Sequence, residues 1–302
     1  MSDGALAPVL PHGIAPPGYR LPNVTRLGRV RLQVADLARS LAYYEQVIGL
    51  RSVERPADGL SMVTLAAHRD DTPLVELHEH LGSRPVPRRG RLGLYHFAIL
   101  LPDRAALGRF VRHLASIGVE AGMSDHAVSE SIYLTDPDGL GIEIYADRPR
   151  SAWQYDGRQL FMTTAPLDVQ SVLEAGGGQL WKGMPAGTAI GHVHLYVADI
   201  DVASAFYHTG VGFDKVVWSY PGALFLSAGG YHHHLATNTW AAGAARPTAD
   251  DARLLDWEII VPNNSDAEAV ANNLAAAGHE VASVDEAWVV TDPWGTRVSI
   301  RA

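Results

Sequence analysis

The chain has 302 residues, of which 47% are hydrophobic and 19% are charged, a composition typical of a globular protein with a sizeable core. The net charge of −9 argues against nucleic acid and anionic membranes as the main partners. Because the sequence contains no cysteine, it excludes disulfides, thiolate metal ligands and a cysteine nucleophile. Any metal must therefore be held by His, Asp, Glu or backbone oxygen.

Residues 1–25 are predicted to form an extended arm that lies on the surface or on a partner subunit. This segment contains five prolines and no continuous apolar run, so it does not match a secretory signal. No later segment has the length of apolar sequence that a bilayer span needs. A cytoplasmic location is therefore expected.

The stretch "LQVADLARSLAYYEQVIGL" belongs to the first of four similar units, which covers residues 26–82. A short apolar run leads to Asp36 at the position of a helix N-cap. Apolar residues at helical spacing follow, and Gly49 stands where a left-handed residue would end the helix. Strand-like segments then follow at "SMVTLAA" and "LVELHEH". The unit therefore reads strand, helix and three strands.

The second unit covers residues 92–147 and also runs strand, helix, glycine and strand. It adds the turn signal "TDPDG" at Thr135, in which Asp-Pro followed by Gly favours a tight turn between two strands. Residues 148–188, with a possible helix at "LDVQSVLEAGG", are predicted to connect the two halves of the chain.

The third unit, residues 189–245, repeats the first, because Asp199 and Gly212 are again 13 residues apart. Its later strands are expected at "DKVVWSY", "ALFLSAG" and "YHHHLAT". The fourth unit, residues 252–302, repeats the second and carries the turn signal "TDPWG" at Thr291.

Four units of about 55 residues each predict an α+β protein built from four βαβββ modules. The first two modules form a predicted domain over residues 26–147. The last two form a second predicted domain over residues 189–302.

Two positional rules select candidate metal ligands. Counting seven residues back from each helix cap reaches the first strand of a module, and counting seven forward from the aspartate of each turn signal reaches the last strand. These positions hold Arg29, His96, His192 and Trp257 in first strands, and Glu143 and Ser299 in last strands. Two histidines and one carboxylate with open positions form the ligand set of non-haem Fe(II) oxygenases, and the same donors suit Mn(II).

The set is complete only under one pairing of the modules. If modules pair in chain order, His192 is separated from His96 and Glu143. If the inner modules two and three pair, all three ligands come together. We therefore predict two half-open barrels, with modules two and three paired around the metal and modules one and four paired without one. The outer pair then holds Arg29 and Trp257, which do not ligate metals.

Each candidate ligand also has a structural interpretation. A strand histidine is more often a hydrogen-bonded core residue than a ligand. His194 could replace His192 as the ligand, because both side chains lie on the same face of a strand. Glu143 is harder to explain without a cation, since it interrupts the apolar strand "GIEIY" and a buried carboxylate needs a partner.

The modules and ligand positions resemble the vicinal oxygen chelate superfamily, which includes glyoxalases, bleomycin-resistance proteins and type I extradiol dioxygenases. The segments closest to the ring-cleaving catechol-2,3-dioxygenase branch are "GLYHFAILLPDR", "DHAVSESIYLTDPDGLGIEIYADRPRSAW", "IGHVHLYVADI" and "AGGYHHHL". The resemblance implies an enzyme that uses Fe(II) and O2 to open a small aromatic diol beside its two hydroxyls. It also implies a homo-oligomer.

The resemblance implies further site residues as well. His233 is the first choice for the acid–base histidine of the family, and His232 and His234 remain alternatives, because a one-residue register error changes the face. Tyr133 matches a tyrosine that hydrogen-bonds the substrate oxygen or the intermediate. His126 resembles a histidine that lies behind the metal ligands. The structural alternative for the triplet is a surface strand with solvated histidines.

Two other functions are compatible with the sequence. A glyoxalase-type isomerase or lyase would use Zn or Ni and commonly a second glutamate, and Glu76 is expected in the outer pair. A non-catalytic drug-binding protein would not need the metal triad. The aromatic residues proposed as pocket walls are Trp153, Tyr155, Phe161, Trp218 and Trp240.

Overall fold

The computed structural model describes residues 12–54 and 61–302. The first module contains β1 (Arg26–Val34), α1 (Leu37–Tyr43), β2 (Arg51–Glu54), β3 (Met62–Ala66) and β4 (Pro73–Glu79). The second module contains β5 (Gly93–Leu100), α2 (Arg104–Ser116), β6 (Gly122–Asp125), β7 (Ser129–Thr135) and β8 (Gly141–Asp147).

The connecting segment contains β9 (Tyr155–Asp156), β10 (Gln159–Leu160) and the predicted helix, α3 (Val169–Ala175). The third module contains β11 (Ala189–Tyr196), α4 (Ile200–Ala203), β12 (Asp214–Val217), β13 (Ala223–Ser227) and β14 (Leu235–Asn238). The fourth module contains β15 (Arg253–Ile260), α5 (Asn264–Ala276), β16 (Val281–Val284), β17 (Ala287–Thr291) and β18 (Arg297–Arg301).

Two eight-stranded sheets join the modules in the predicted inner and outer pairs. In the inner sheet the strand order is β12-β13-β14-β11-β5-β8-β7-β6, and antiparallel β11 and β5 join modules three and two. In the outer sheet the order is β16-β17-β18-β15-β1-β4-β3-β2, and antiparallel β15 and β1 join modules four and one. The predicted α+β fold of four βαβββ modules is therefore confirmed.

Both predicted caps of the repeated helix form. The Asp36 carboxylate accepts the N–H of Arg39, and Asp199 accepts the N–H groups of the first turn of α4. Gly49 and Gly212 end the helices with φ of +88° and +102°, the left-handed conformation that glycine adopts without strain. The sequence did not predict that each helix ends in a π-helical segment, at residues 44–48 and 204–211.

The two turn signals connect the modules of each chain half. The buried carboxylate of Asp136 accepts the backbone N–H groups of Asp138 and Leu140 and the hydroxyl of Tyr44 from module one. Asp292 does the same in the fourth module, where its hydroxyl partner is the tyrosine at position 207 of module three. The turns therefore hold together modules that belong to different sheets.

The N-terminal arm, where it is described, lies against module three of its own chain. Ile14 pairs with Lys215, and the guanidinium of Arg20 binds the Asp214 carboxylate at 2.6 and 2.8 Å. Residues 1–11 lie outside the described residues, so contact of the arm with a partner subunit stays a prediction.

The helices of the described chain are short. The longest, α2 and α5, have 13 residues each, whereas a bilayer span needs about 20. Within residues 12–54 and 61–302, no helix combines the length and the apolar character that crossing a membrane requires.

Candidate metal centre

The concave face of the inner sheet encloses a cavity of about 670 Å³. Its walls come from β5, β7, β8 and β11, from the loop before β14, and from residues 86–91 and 162–164. The site residues that line it are His96, His126, Tyr133, Glu143, His194 and His233. The volume falls in the range of small-molecule sites.

His96, Glu143 and His192 converge on one point, from the adjacent strands β5, β8 and β11. The Nε2 atoms of His96 and His192 lie 3.0 and 3.1 Å from the same Oε2 atom of Glu143. One ligand atom from each residue lies within 4.8 Å of the other two. All three side chains are buried, with exposed fractions of 5% for His96, 2% for Glu143 and 1% for His192.

The protonation states favour a divalent cation. Burial alone would raise the pKa of Glu143, but the charge and hydrogen bond of His192, together with the charge of His96, outweigh it and hold the pKa well below its usual range. Burial lowers the pKa of His192 to about 4, against the opposing pull of Glu143. At neutral pH the centre therefore offers a carboxylate and a neutral imidazole, the donor forms that metals bind.

Unsatisfied nitrogens support this assignment. The Nε2 of His96 is buried and has no hydrogen-bond partner among the described residues, although it lies 3.0 Å from Glu143. A buried polar atom without a partner is costly, and a cation at the shared point would remove that cost. The residues present therefore fit the metal that the fold implies.

Close packing of β8 against β5 fixes the spacing of two ligands. A Cβ atom at Gly141 would lie 2.1 Å from the carbonyl oxygen of Tyr95 and 3.1 Å from the Cβ of His96. Only glycine fits between the strands at this position. The backbone that carries Glu143, two residues later, therefore lies directly beside the backbone that carries His96.

His194 lies in the cavity but outside the triad. Its Nε2 accepts a hydrogen bond of 2.8 Å from the side-chain amide of Asn238, which occupies the lone pair a metal would need. Burial and the neighbouring histidines lower its pKa well below the usual value, so the ring is neutral. Of the two alternatives on β11, the geometry favours His192 as a ligand.

Tyr133 and His126 form a hydrogen-bonded pair at the cavity wall. The Nε2 of His126 lies 2.6 Å from the Tyr133 hydroxyl, and its Nδ1 lies 2.7 Å from the carbonyl of Thr163. Because the carbonyl can only accept, Nδ1 carries the proton and Nε2 accepts from the phenol. Burial, with Glu143 nearby, raises the pKa of Tyr133 well above its usual value, so the phenol keeps its proton.

The histidine triplet is buried in a loop between β13 and β14, and β14 begins only at Leu235. The prediction of a strand through all three histidines is wrong, and so is the alternative of a solvated surface strand. His233 lines the cavity, with its ring centroid 4.0 Å from that of His192. His234 points away and accepts the backbone N–H of Ala228 at 3.2 Å.

A chain of hydrogen bonds leads from His233 away from the cavity. The Nδ1 atoms of His233 and His232 lie 2.8 Å apart, and Nε2 of His232 lies 2.8 Å from the carboxylate of Asp147. Asp147 is partly exposed to solvent. Because Nδ1 of His233 is occupied by His232, its Nε2 is the nitrogen left for other partners.

The outer sheet does not place a ligand set at the matching positions. Asn263 caps α5 by accepting the N–H of Asp266, so seven residues back from the cap is Asp256. A count from Asn264 gives Trp257 and is wrong by one residue. Since side chains alternate along a strand, Trp257 faces the other way and is fully buried in the core.

The outer counterparts of the triad are therefore Arg29, Asp256 and Ser299. The Ser299 hydroxyl donates to the Asp256 carboxylate at 2.8 Å. Arg29 forms an ion pair of 2.9 Å with Glu76, which also pairs with Arg31. The guanidinium of Arg29 occupies the place of His192, and Glu76 is not available to the inner cavity as a second glutamate.

The aromatic walls of the cavity differ from those proposed from the sequence. Of the five candidates only Trp240 lines it, while Tyr155 and Phe161 are 40% and 45% exposed. The sequence reasoning missed Tyr95 and Tyr196, whose rings pack 4.7 Å apart in the wall. The position of Tyr196, two residues after His194 on one strand face, is the signal that could have found it.

A twice-repeated module pair with a His-Glu-His cluster in one sheet defines a known class of metalloproteins. The chain belongs to the glyoxalase/bleomycin resistance protein/dioxygenase superfamily, whose model matches residues 26–144 and 189–300. It is 42% identical, over 273 residues, to the catechol-2,3-dioxygenase of Bacillus subtilis (strain 168), covering 89% of this chain and 94% of the relative.

Solved structures show the same fold at lower identity. A candidate dioxygenase from Bacillus subtilis subsp. subtilis str. 168 aligns with a TM-score of 0.62 at 13% identity, over 93% of this chain and 86% of that one. Glyoxalase I from Zea mays aligns with a TM-score of 0.53 at 16% identity, over 91% and 92%. Because one fold hosts several reactions in this superfamily, the site must decide the function.

Proposed function

We propose that this protein is an Fe(II)-dependent extradiol dioxygenase that cleaves a small catechol with O2. The observation that carries the proposal is the buried cluster of His96, Glu143 and His192, of which His96 and Glu143 line a cavity with aromatic side chains in its wall. The relative that shares 42% identity with this chain is named catechol-2,3-dioxygenase. A cytoplasmic homo-oligomer that acts in aromatic catabolism is part of the same proposal.

The three proposed ligands leave coordination positions open. A ferrous ion held there would supply binding of both diol oxygens and of O2, and electron transfer between them. Both atoms of O2 end in the ring-opened product, so the reaction needs no external reductant. Mn(II) fits the same donors.

His233 is proposed to move protons between the diol and the oxygen that is reduced. Its Nε2 is the ring nitrogen not taken by His232, and the ring borders the cavity next to His192. When His232 donates through Nε2 to Asp147, its Nδ1 accepts from His233, which leaves Nε2 of His233 as a base. Once this Nε2 has taken a proton from the diol, His233 can pass its Nδ1 proton to His232 beside the Asp147 carboxylate, and the protonated Nε2 can then act as an acid.

Tyr133 is proposed to hold a substrate oxygen. Its phenol stays protonated, and His126 receives its hydrogen bond when no substrate is bound. Because the hydroxyl can turn toward the cavity, it can donate to an oxygen of the diol while His126 keeps the ring in place. His126 is thus a positioning residue whose Nδ1–H is fixed by the Thr163 carbonyl.

The two alternatives from the sequence receive less support. A glyoxalase-type reaction commonly uses two glutamates, and in this chain Glu76 is paired with arginines of the outer sheet. A non-catalytic binder does not need three buried ligand side chains that meet at one point.

The proposal is tested by purifying the protein without oxygen, loading it with Fe(II) and adding catechol under air. We expect O2 uptake in a one-to-one ratio with catechol and a yellow ring-opened product. Metal analysis before and after loading identifies the ion that the protein retains. Tight retention of Zn without any O2 uptake would refute the dioxygenase and favour the isomerase.

A further inference from the structure

The outer sheet has a cavity of its own on the face that corresponds to the inner site. It has a volume of about 240 Å³ and lies over β4, β1, β15 and β18. The charged side chains in its lining are Arg31, His78, Arg253, Asp256 and Arg297.

The two cavities occupy equivalent places in the two sheets. Glu258 faces Ser299 across β15 and β18 as Ala98 faces Glu143 across β5 and β8. Two residues before Ser299 on β18 is Arg297, and two residues before Glu143 on β8 is Gly141. Arg297 therefore takes the place that Gly141 has in the inner sheet. The sheet position that carries the metal-binding cavity in one pair of modules therefore carries an arginine-lined cavity in the other.

The positive charge of the outer cavity is only partly compensated. Arg31 is paired with Asp256, with Glu258 at 3.2 Å and with Glu76 at 3.4 Å. By contrast, Arg253 and Arg297 form no ion pair with any carboxylate of the described residues. The lining therefore holds three arginines against the single carboxylate of Asp256, and such an excess of cations favours the binding of an anion.

The guanidinium of Arg253 gives the second observation. Its Nε is buried and has no hydrogen-bond partner among the described residues. An N–H of a charged group that is withdrawn from water without a partner is costly, and Arg253 is one of the residues that line the cavity. Arg297 lines the same cavity from the neighbouring strand β18.

We propose that this outer cavity is a binding site for a small anion, held by a phosphate or carboxylate group between Arg253 and Arg297. Guanidinium groups bind both kinds of oxyanion through paired N–H donors. The volume is below the range for drug-sized ligands, so the site fits inorganic phosphate or a short dicarboxylate. The site does not depend on ring cleavage, because it belongs to the other sheet.

The test measures phosphate binding to the purified protein by isothermal titration calorimetry in an anion-poor buffer, with succinate as a second probe. We expect saturable binding of one anion per chain. Arg253→Gln and Arg297→Gln should each weaken it about tenfold or more, because each removes a charged hydrogen bond. Arg112→Gln on α2 changes the net charge equally and should leave the affinity unchanged.

Thermal unfolding separates a ligand site from a structural role. Phosphate should raise the Tm of the wild type and not that of the double variant, because only a bound anion stabilises the folded state. Without added anion the double variant should unfold at about the same temperature as the wild type, because neither Arg253 nor Arg297 forms an ion pair among the described residues and Asp256 keeps its ion pair with Arg31. Binding of succinate but not phosphate would support the carboxylate form of the site.

Two results would overturn the proposal. One is the absence of binding for both probes at concentrations of about 10 mM, well above the Kd expected of a specific site. The other is unchanged binding in the double variant, which would place the anion elsewhere, including at the inner metal. Neither result bears on O2 uptake with catechol.

Discussion

Replacing His233 by asparagine tests the proposed proton transfer with little change to the surroundings. The amide of His233→Asn can reach the place of Nδ1 and keep the contact with His232, but it has no nitrogen that can take up a proton. Loss of general acid–base catalysis costs about 10²–10⁴ in kcat, equal to about 3–5 kcal/mol of transition-state stabilisation. Iron content should stay at the wild-type level, because the ligands are untouched.

The same triplet supplies the control. His234 is as buried as His233, at 8% and 5% exposure, but it bonds to the backbone of Ala228 and does not line the cavity. Its asparagine variant can accept the same N–H. O2 uptake and product absorbance should therefore fall in His233→Asn and change at most about threefold in His234→Asn. Full turnover in His233→Asn, or a larger loss in His234→Asn, would refute the assignment.

Four further predictions follow from the geometry. Glu143→Gln keeps the shape of the side chain but removes its charge. Metal affinity, measured by metal titration, should therefore fall by more than the roughly 100-fold that follows loss of a residue that only supports a ligand. Unchanged affinity would exclude Glu143 as a ligand. Gly141→Ala forces a Cβ against the carbonyl of Tyr95, so iron retention and the Tm should both fall; a variant with wild-type values would show that the two strands can separate freely. Arg31→Leu removes the ion-pair partner of the buried Asp256 carboxylate, whereas Glu76 and Glu258 keep Arg29. The free energy of unfolding should fall by about 3–5 kcal/mol in urea titrations, and a loss under 1 kcal/mol would contradict this. Burial raises the pKa of Asp136 from 3.8 to about 7. Its contribution to the free energy of unfolding is therefore complete below pH 4 and is lost as the pH rises through 7, by up to about 4 kcal/mol. Asp136→Asn should lack this loss when the free energy of unfolding is compared at pH 5 and pH 8.

The module repeat and the meeting of the three proposed ligands could be predicted because both depend on local spacing. A helix cap and an Asp-Pro turn fix the phase of the adjoining strand, and the strand period of two then decides which side chains share a face. His96, His192 and Glu143 were found in this way. The pairing of inner modules followed from the chemical requirement that all three ligands meet.

Counting back from the helix cap gave the wrong residue in module four, where two neighbouring residues could cap α5. Asn263 and Asn264 can both cap a helix, and a shift of one residue replaced Asp256 by Trp257 and reversed the face. The direction of the three histidines was also beyond the sequence. They lie in a loop whose conformation depends on a contact with the carboxylate of Asp147, which is 85 residues away in the chain, and on a contact with the backbone N–H of Ala228.

The pairing of module two with module three also determines the order in which parts of the structure can form during translation. His192 is the last of the three proposed ligands to be synthesised, so the proposed metal site is incomplete until residue 192 has been made. The strand that closes the outer sheet against β1 emerges later still, at residues 253–260. The edge of the first module at β1 therefore stays unpaired until β15 has been made.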